Sequence, residues 1–327
     1  SDPTVNSELY NGNSIQIFQN TVIKARCFKT GLLPSEIKSA SYLIGINHTT
    51  PILSLVTDID NLYGPNGNFT NFNNDWLKSA HVQYFDETPE HNLVFSQATG
   101  MIQDGGAGGS RSHPQHSFRL ELDHGTVGGN TVNYPLIPNK SGRTEFSKIY
   151  LRNGSNQYQV LPHKDAMQVE MMCAPTNNYH SGWRPVSVYI NGGYFGLYEL
   201  REKFDSQFFE VYDNADPASV EILSLSFFYG SILRAVEGSV DSYYDSYENW
   251  SNISISNPNY IEQMNSYFDV NYYIDYIIGE TWMGNADWPQ NNIKIYRSNA
   301  TNNAWRFCIQ DLELSLNPNG WTDCYHG

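Results

Sequence analysis

The sequence predicts an α+β fold, mainly β in its first part and more helical in its second. Short runs alternating apolar and polar residues recur between residues 15 and 198, as half-buried strands do. Within residues 260–282 the pattern changes to helix spacing, with Val270, Tyr273, Ile274 and Ile277 apolar in sequence. Between two alternating runs sits Asn191-Gly192, the strongest short hairpin signal in the chain, because such a turn needs positive φ at both positions.

Taken in order, strands are expected at residues 15–17, 22–28 and 41–44, punctuated by Thr30-Gly31 and Pro34-Ser35. Residues 51–56 read as a buried strand, followed by an Asn- and Gly-rich loop over 61–74 in which Tyr63 and Phe69 are the anchors. Residues 81–85 and 93–95 form a strand pair. A glycine-rich loop, residues 105–111, then feeds the alternating strand 117–122. Another strand is expected at 146–152, a helix at 163–172, and the two hairpin strands at 186–190 and 194–198. From there to about Asn257-Pro258-Asn259 the chain reads as polar and irregular, with a helix expected only over 231–237. No internal repeat and no low-complexity tail interrupts the order.

The 327 residues suffice for a substantial core, in one large domain or two. A net charge of −15 argues against nucleic acid as a partner, since phosphate contacts need clustered Lys and Arg, and is equally unsuited to anionic membranes. No run of about 18 apolar residues is present, so no membrane-spanning helix is expected. The four cysteines, Cys27, Cys173, Cys308 and Cys324, form no CxxC pair, which argues against zinc. Cys308 and Cys324 remain able to bridge in an exported protein. Abundant Asn, Tyr and Ser with little Lys fit an extracellular or cell-surface location, although the first residues carry no signal-peptide pattern.

Between the helical run and the strand-like Ile293, Ile295 and Tyr296 lies Gly284-Asn285-Ala286-Asp287-Trp288-Pro289-Gln290-Asn291-Asn292. Its composition marks a loop. Asp287 precedes Asn292 by five positions, and Asp311 follows the apolar run at 305–309. A loop Asp, a loop Asn and a strand-end Asp in this order suit phosphoryl transfer: one carboxylate orients the attacking hydroxyl, while the amide oxygen and second carboxylate hold a nucleotide-bound metal. Turn-forming residues in an Asn-rich chain would give the same spacing. Likewise, Arg111 in the glycine-rich loop and Arg119 on the following strand are placed to bring guanidinium groups to phosphate, or simply to flank a solvated hairpin.

Several stretches together resemble the spore-coat protein H (CotH) kinase family of atypical protein kinases. They are Gly109-Ser110-Arg111, residues 114–119, Leu151-Arg152-Asn153-Gly154, the helix around Asp165, the hairpin segment 188–203, Gly284-Asn285-Ala286-Asp287 through Asn292, and Gln310-Asp311-Leu312-Glu313. The resemblance covers about residues 50–320. Residues 21–31 and 41–44 separately resemble part of the small β-sandwich module at the ends of some bacterial β-hexosaminidases (chitobiases).

The resemblance implies a two-lobed kinase-like fold over residues 46–327, with residues 1–45 as a short accessory β segment. It implies ATP-dependent transfer of phosphate to Ser/Thr hydroxyls of a protein substrate, with magnesium or manganese. By position, Asp287 is the catalytic aspartate, and Asn292 and Asp311 are the metal ligands. Arg119, with Arg111 before it, is the nucleotide-phosphate cation. Asp165, or the less well placed Glu170, is the acidic partner on the helix, and Tyr198 to Glu202 lie at the adenine-binding hinge. Family members often carry lysine where this chain has His116, and Glu313 stands where a second Asp is common. Two other readings fit the same residues: a catalytically silent kinase-like surface scaffold binding protein or glycan, and a metal-dependent hydrolase or nucleotidyl transferase.

Overall fold

A computed structural model describes residues 2–106, 109–122, 131–140, 142–226 and 230–316. The described residues mix strands and helices, an α+β fold, in two compact units. The first comprises Ser1–Leu136, Thr144–Asn153 and Arg184–Arg201, and the second Ile137–Arg143, Gly154–Trp183 and Glu202–Gly327.

The first unit opens with a two-stranded antiparallel ribbon, β1 (Thr21–Ala25) and β2 (Lys38–Tyr42). The strand expected at residues 15–17 does not form. Ile15 is exposed there, and no described strand pairs with it to satisfy its backbone groups. β3 (Ile52–Thr57), β4 (Lys78–Phe85), β5 (Leu93–Gln103), β6 (Phe118–Glu121), β9 (Lys148–Arg152), β10 (Trp183–Ile190) and β11 (Gly193–Arg201) close into a barrel in the order β10-β11-β9-β6-β5-β4-β3. Two short helices, α1 (Asp60–Tyr63) and α2 (Gly109–Ser112), and a minor ribbon, β7 (Val132–Asn133) with β8 (Glu145–Phe146), lie between these strands.

Alternation explains the barrel interior. Phe118 and Leu120 on β6, Ile149 and Leu151 on β9, and Tyr198 and Leu200 on β11 are almost fully buried. Arg119, Glu121, Lys148, Tyr150 and Arg152 take the opposite faces of their strands. β3 is buried at every position, Ser54 and Thr57 included, in keeping with the buried strand expected at residues 51–56. Its parallel pairing with β10 (Ile52 opposite Ser187, Leu55 opposite Ile190) closes the barrel. β10 and β11 turn at Asn191 (φ 52°) and Gly192 (φ 82°), the hairpin geometry read from the sequence.

In the second unit, α3 (Lys164–Cys173), α4 (Ser206–Asp213), α5 (Asp241–Ser251), α6 (Tyr260–Met264) and α7 (Val270–Met283) accompany a four-stranded sheet. Its order is β13-β12-β14-β15, from β12 (Glu221–Ser226), β13 (Ile232–Glu237), β14 (Ile293–Arg297) and β15 (Arg306–Cys308). The helix expected over 231–237 is therefore a strand. Ile232–Glu237 pairs antiparallel with β12, and this tertiary pairing decides a run too short for its apolar spacing to distinguish helix from strand.

Apolar contacts join α3 to α7: Val169, Met172 and Cys173 pack with Tyr276, Met283, Ile309 and Leu312. At Gly279 an added Cβ would overlap the end of the flexible Met172 side chain, which would have to shift to make room. Trp305, Leu223 and Ile295 form a second cluster on the sheet. Cys308 is buried on β15, and Cys324 lies outside the described residues, as do Ala107 and Gly108 of the glycine-rich loop. No helix among the described residues is long and apolar enough to cross a membrane.

Candidate active site

α7 ends at Gly284, whose left-handed φ of 57° lets the chain leave the helix axis. The loop that follows is built on asparagine amides. Asn285, 1 % exposed, accepts from the Asp287 backbone N–H through Oδ1 at 3.2 Å and donates through Nδ2 to Glu280 Oε2 at 2.8 Å. Asp287 Oδ2 in turn accepts from Asn291 Nδ2 at 2.7 Å and Asn292 Nδ2 at 2.8 Å. The Trp288 indole N–H donates to the Tyr276 hydroxyl at 2.8 Å, fastening the loop to α7. Asn292 itself adopts φ 56°, which asparagine tolerates better than most residues, and β14 begins at the next position.

The segment after β15 is fixed independently. Ile309 N–H bonds to the Tyr179 carbonyl at 3.0 Å, Gln310 Nε2 to the Asn292 carbonyl at 3.1 Å, and Leu312 N–H to Asp165 Oδ1 at 2.5 Å. Asp311 lies between the last two, at φ 60°. Asp165 is in the first turn of α3 and 3 % exposed.

These carboxylates feel one another. Burial raises the pKa of Asp287 first, the Asp311 charge adds to it, and the Asn291 hydrogen bond opposes both. Glu280, 2 % exposed, is pushed up to about 7 by burial and by the charges of Asp311 and Asp165, against the bond from Asn285. Glu280 is thus near enough to Asp311 and Asp165, and Asp287 to Asp311, for their charges to act on one another.

Of the residues singled out from sequence, Asp287, Asn292, Asp311 and Asp165 come together here. Glu202 does not share these contacts. It is buried in its own network, accepting from Gly182 N–H at 2.8 Å and the Tyr212 hydroxyl at 3.3 Å, with Lys140 and Arg143 each 3.6 Å away. Glu170 accepts from the Trp183 indole at 2.9 Å.

Arg119 and Arg111 belong to the first unit. Arg119 Nε donates to Glu121 Oε1 at 2.5 Å, with Asp104 3.8 Å from its guanidinium. The register places Arg119 beside Tyr150 and Tyr150 beside Arg201 across β6, β9 and β11. Arg111 clamps the loop before β6, donating to the carbonyls of Gly105 (2.6 Å) and Phe72 (3.2 Å) and pairing with Asp75 at 2.7 Å. His116 is core: 7 % exposed and stacked on Phe69 at 4.3 Å, it donates through Nδ1 to the Arg111 carbonyl, while burial lowers its pKa.

Glu280, Asn285 and Asn291 escaped sequence reasoning. Their signal was present: Glu280 continues the series Tyr272, Tyr276, Glu280 at a spacing of four, a charged residue on the face α7 buries. No curated protein matches the chain. The family model described as CotH kinase protein matches residues 102–321, more than half of the chain and a span that includes every residue discussed above as a candidate. The chain belongs to the CotH kinase family.

Proposed function

We propose that the chain is an atypical protein kinase of two-lobed, kinase-like architecture over residues 46–327. It transfers phosphate from ATP to Ser/Thr hydroxyls of a protein substrate outside the cell or at its surface. Residues 1–45 serve as an accessory segment. One observation carries the reading. Asp287 is held by the amides of Asn291 and Asn292 through Oδ2 alone, and no described side chain donates to its Oδ1. That oxygen is available to an incoming hydroxyl.

In this mechanism Asp287 orients the substrate hydroxyl and takes its proton as the new oxygen–phosphorus bond forms and the bond to the ADP leaving group breaks. The residues present fit a divalent cation. Asn292 directs its NH₂ to Asp287, which turns its amide oxygen away as a hard donor, and Asp311 adds a carboxylate within an acidic cluster. No group of three or more His, Cys, Asp or Glu that could hold a metal occurs among the described residues. Bound there, the cation would neutralise phosphate charge. Asp165 fixes the backbone beside Asp311. Arg119, and less directly Arg111, are assigned to phosphate binding, and residues 198–202 meet the adenine through backbone groups.

Binding and transfer measured on two variants test the scheme. Asp311→Asn should weaken metal-dependent ATP binding and turnover together. Asp287→Asn should leave ATP affinity nearly unchanged and abolish transfer of the γ-phosphate, a loss in kcat alone. Full transfer by folded Asp287→Asn would refute the mechanism. Labelling of protein from α-labelled ATP would point instead to nucleotidyl transfer. The silent-scaffold reading is favoured by His116, which is packed in the core where a cation was expected; absence of any nucleotide-induced shift in melting temperature would establish it.

A further inference from the structure

Resting on the assignment of Asp287 as the group that receives the hydroxyl, we infer that Glu280 and Asn285 are positioning residues that set the geometry of Asp287 from inside the protein. The backbone N–H of Asp287 can only donate, so Asn285 must face it with Oδ1. The Asn285 NH₂ then has to point at Glu280 Oε2, 2.8 Å away, which must accept. Glu280 therefore dictates which way the Asn285 amide is turned. A second strut, Asn285 N–H to the Glu280 carbonyl at 3.2 Å, ties the same two residues through the backbone.

Both side chains are closed to solvent, at 2 % and 1 % exposure, so each depends on the other rather than on bulk water for its partner. Asp287 is consequently gripped twice, through its main chain by Asn285 and through its carboxylate by Asn291 and Asn292. Removing the Glu280 acceptor leaves a buried NH₂ without a partner and frees the amide to turn over, which withdraws the main-chain grip.

Three variants, Glu280→Ala, Glu280→Gln and Asn285→Ala, decide the matter with two readouts. Steady-state kinetics should show kcat about 10- to 100-fold lower in both alanine variants, with KM for ATP within about 2-fold, the size expected when a reacting group is misplaced by about an ångström. Glu280→Gln, which keeps an accepting oxygen, should stay within about 3-fold of wild type. Hydrogen exchange by mass spectrometry should show faster exchange in peptides covering residues 284–292 in the alanine variants and not in Glu280→Gln.

A glutamine variant as impaired as the alanine variant, or alanine variants with unchanged kcat in an active enzyme, would overturn the inference. So would unchanged exchange over 284–292, whatever the activity. Should Glu280→Ala not fold, Asn285→Ala carries the same two measurements. If wild type transfers no phosphate but the exchange pattern holds, the kinase reading fails and the positioning of the loop stands.

Discussion

Replacing Glu280 with glutamine isolates the cost of burying one carboxyl. In the folded chain this group titrates at about 7 rather than 4.5, driven first by burial and then by the charges of Asp311 and Asp165. Once unfolded, it ionises at its ordinary value. Below pH 4.5 the carboxyl is neutral in both states and its folding penalty is absent. As pH rises towards 7 the unfolded chain releases a proton that the folded chain retains, so stability is lost across this window, and above 7 the loss levels off. At about 1.4 kcal/mol per pH unit, the interval between 4.5 and 7 corresponds to about 3 kcal/mol. Glutamine preserves the acceptor for Asn285 and never ionises. Glu280→Gln should therefore exceed wild type in stability by about 3 kcal/mol at pH 8, and the gap should shrink to near zero towards pH 4.5. Urea denaturation in the presence of a chelator measures the gap, because a cation near Asp311 would relieve the same charge. A gap that stayed constant from pH 4.5 to pH 8 would refute the burial argument.

Gly192→Val should lower stability by about 1 kcal/mol or more. The position adopts φ 82°, whereas an added Cβ would meet Val22 Cγ2 at 3.6 Å and the Asn20 backbone at 3.8 Å, ordinary contacts, so the loss comes from backbone strain and would appear as a lower denaturation midpoint. Arg119→Ala should reduce ATP affinity by more than the roughly 0.5 kcal/mol of an ordinary surface change. Equal affinity by calorimetry would leave Arg119 as a partner of Glu121 and Asp104 only.

What the sequence made legible was local. Phe118-Arg119-Leu120-Glu121 alternates and forms a strand with Arg119 on the outer face, and Asn191-Gly192 turns as its chemistry requires. α5 went unread because a tyrosine and a tryptophan, Tyr243 and Trp250, supply its packed face within a polar run. Ile232–Glu237 was misread because its partner, β12, is needed to decide between helix and strand. At the site, Asp287 and Asn292 stood out as polar residues in a loop. Glu280 did not, since a glutamate on a helix ordinarily faces water, and only the packing of α7 on α3 and the 309–312 segment reveals its burial. Asp165 was recognised as an acid on α3, but its bond to Leu312 N–H spans too much chain to be foreseen.

The parallel seam between β3 and β10 bears on how the protein is made. A chain emerging from the ribosome displays β3 and β4 early, yet β3 has no second neighbour until Trp183–Ile190 has been synthesised. Until then its outer edge presents unpaired N–H and C=O groups on a mostly apolar strand, an invitation to pair with another nascent chain. Closure also waits on an excursion, because α3 is synthesised between β9 and β10 and its packing partners on α7 arrive later still. Such long-range pairing is intrinsically slow. Fragments ending before Arg201 should accordingly be sticky and protease-sensitive, and the barrel should gain resistance only once that residue has cleared the exit tunnel.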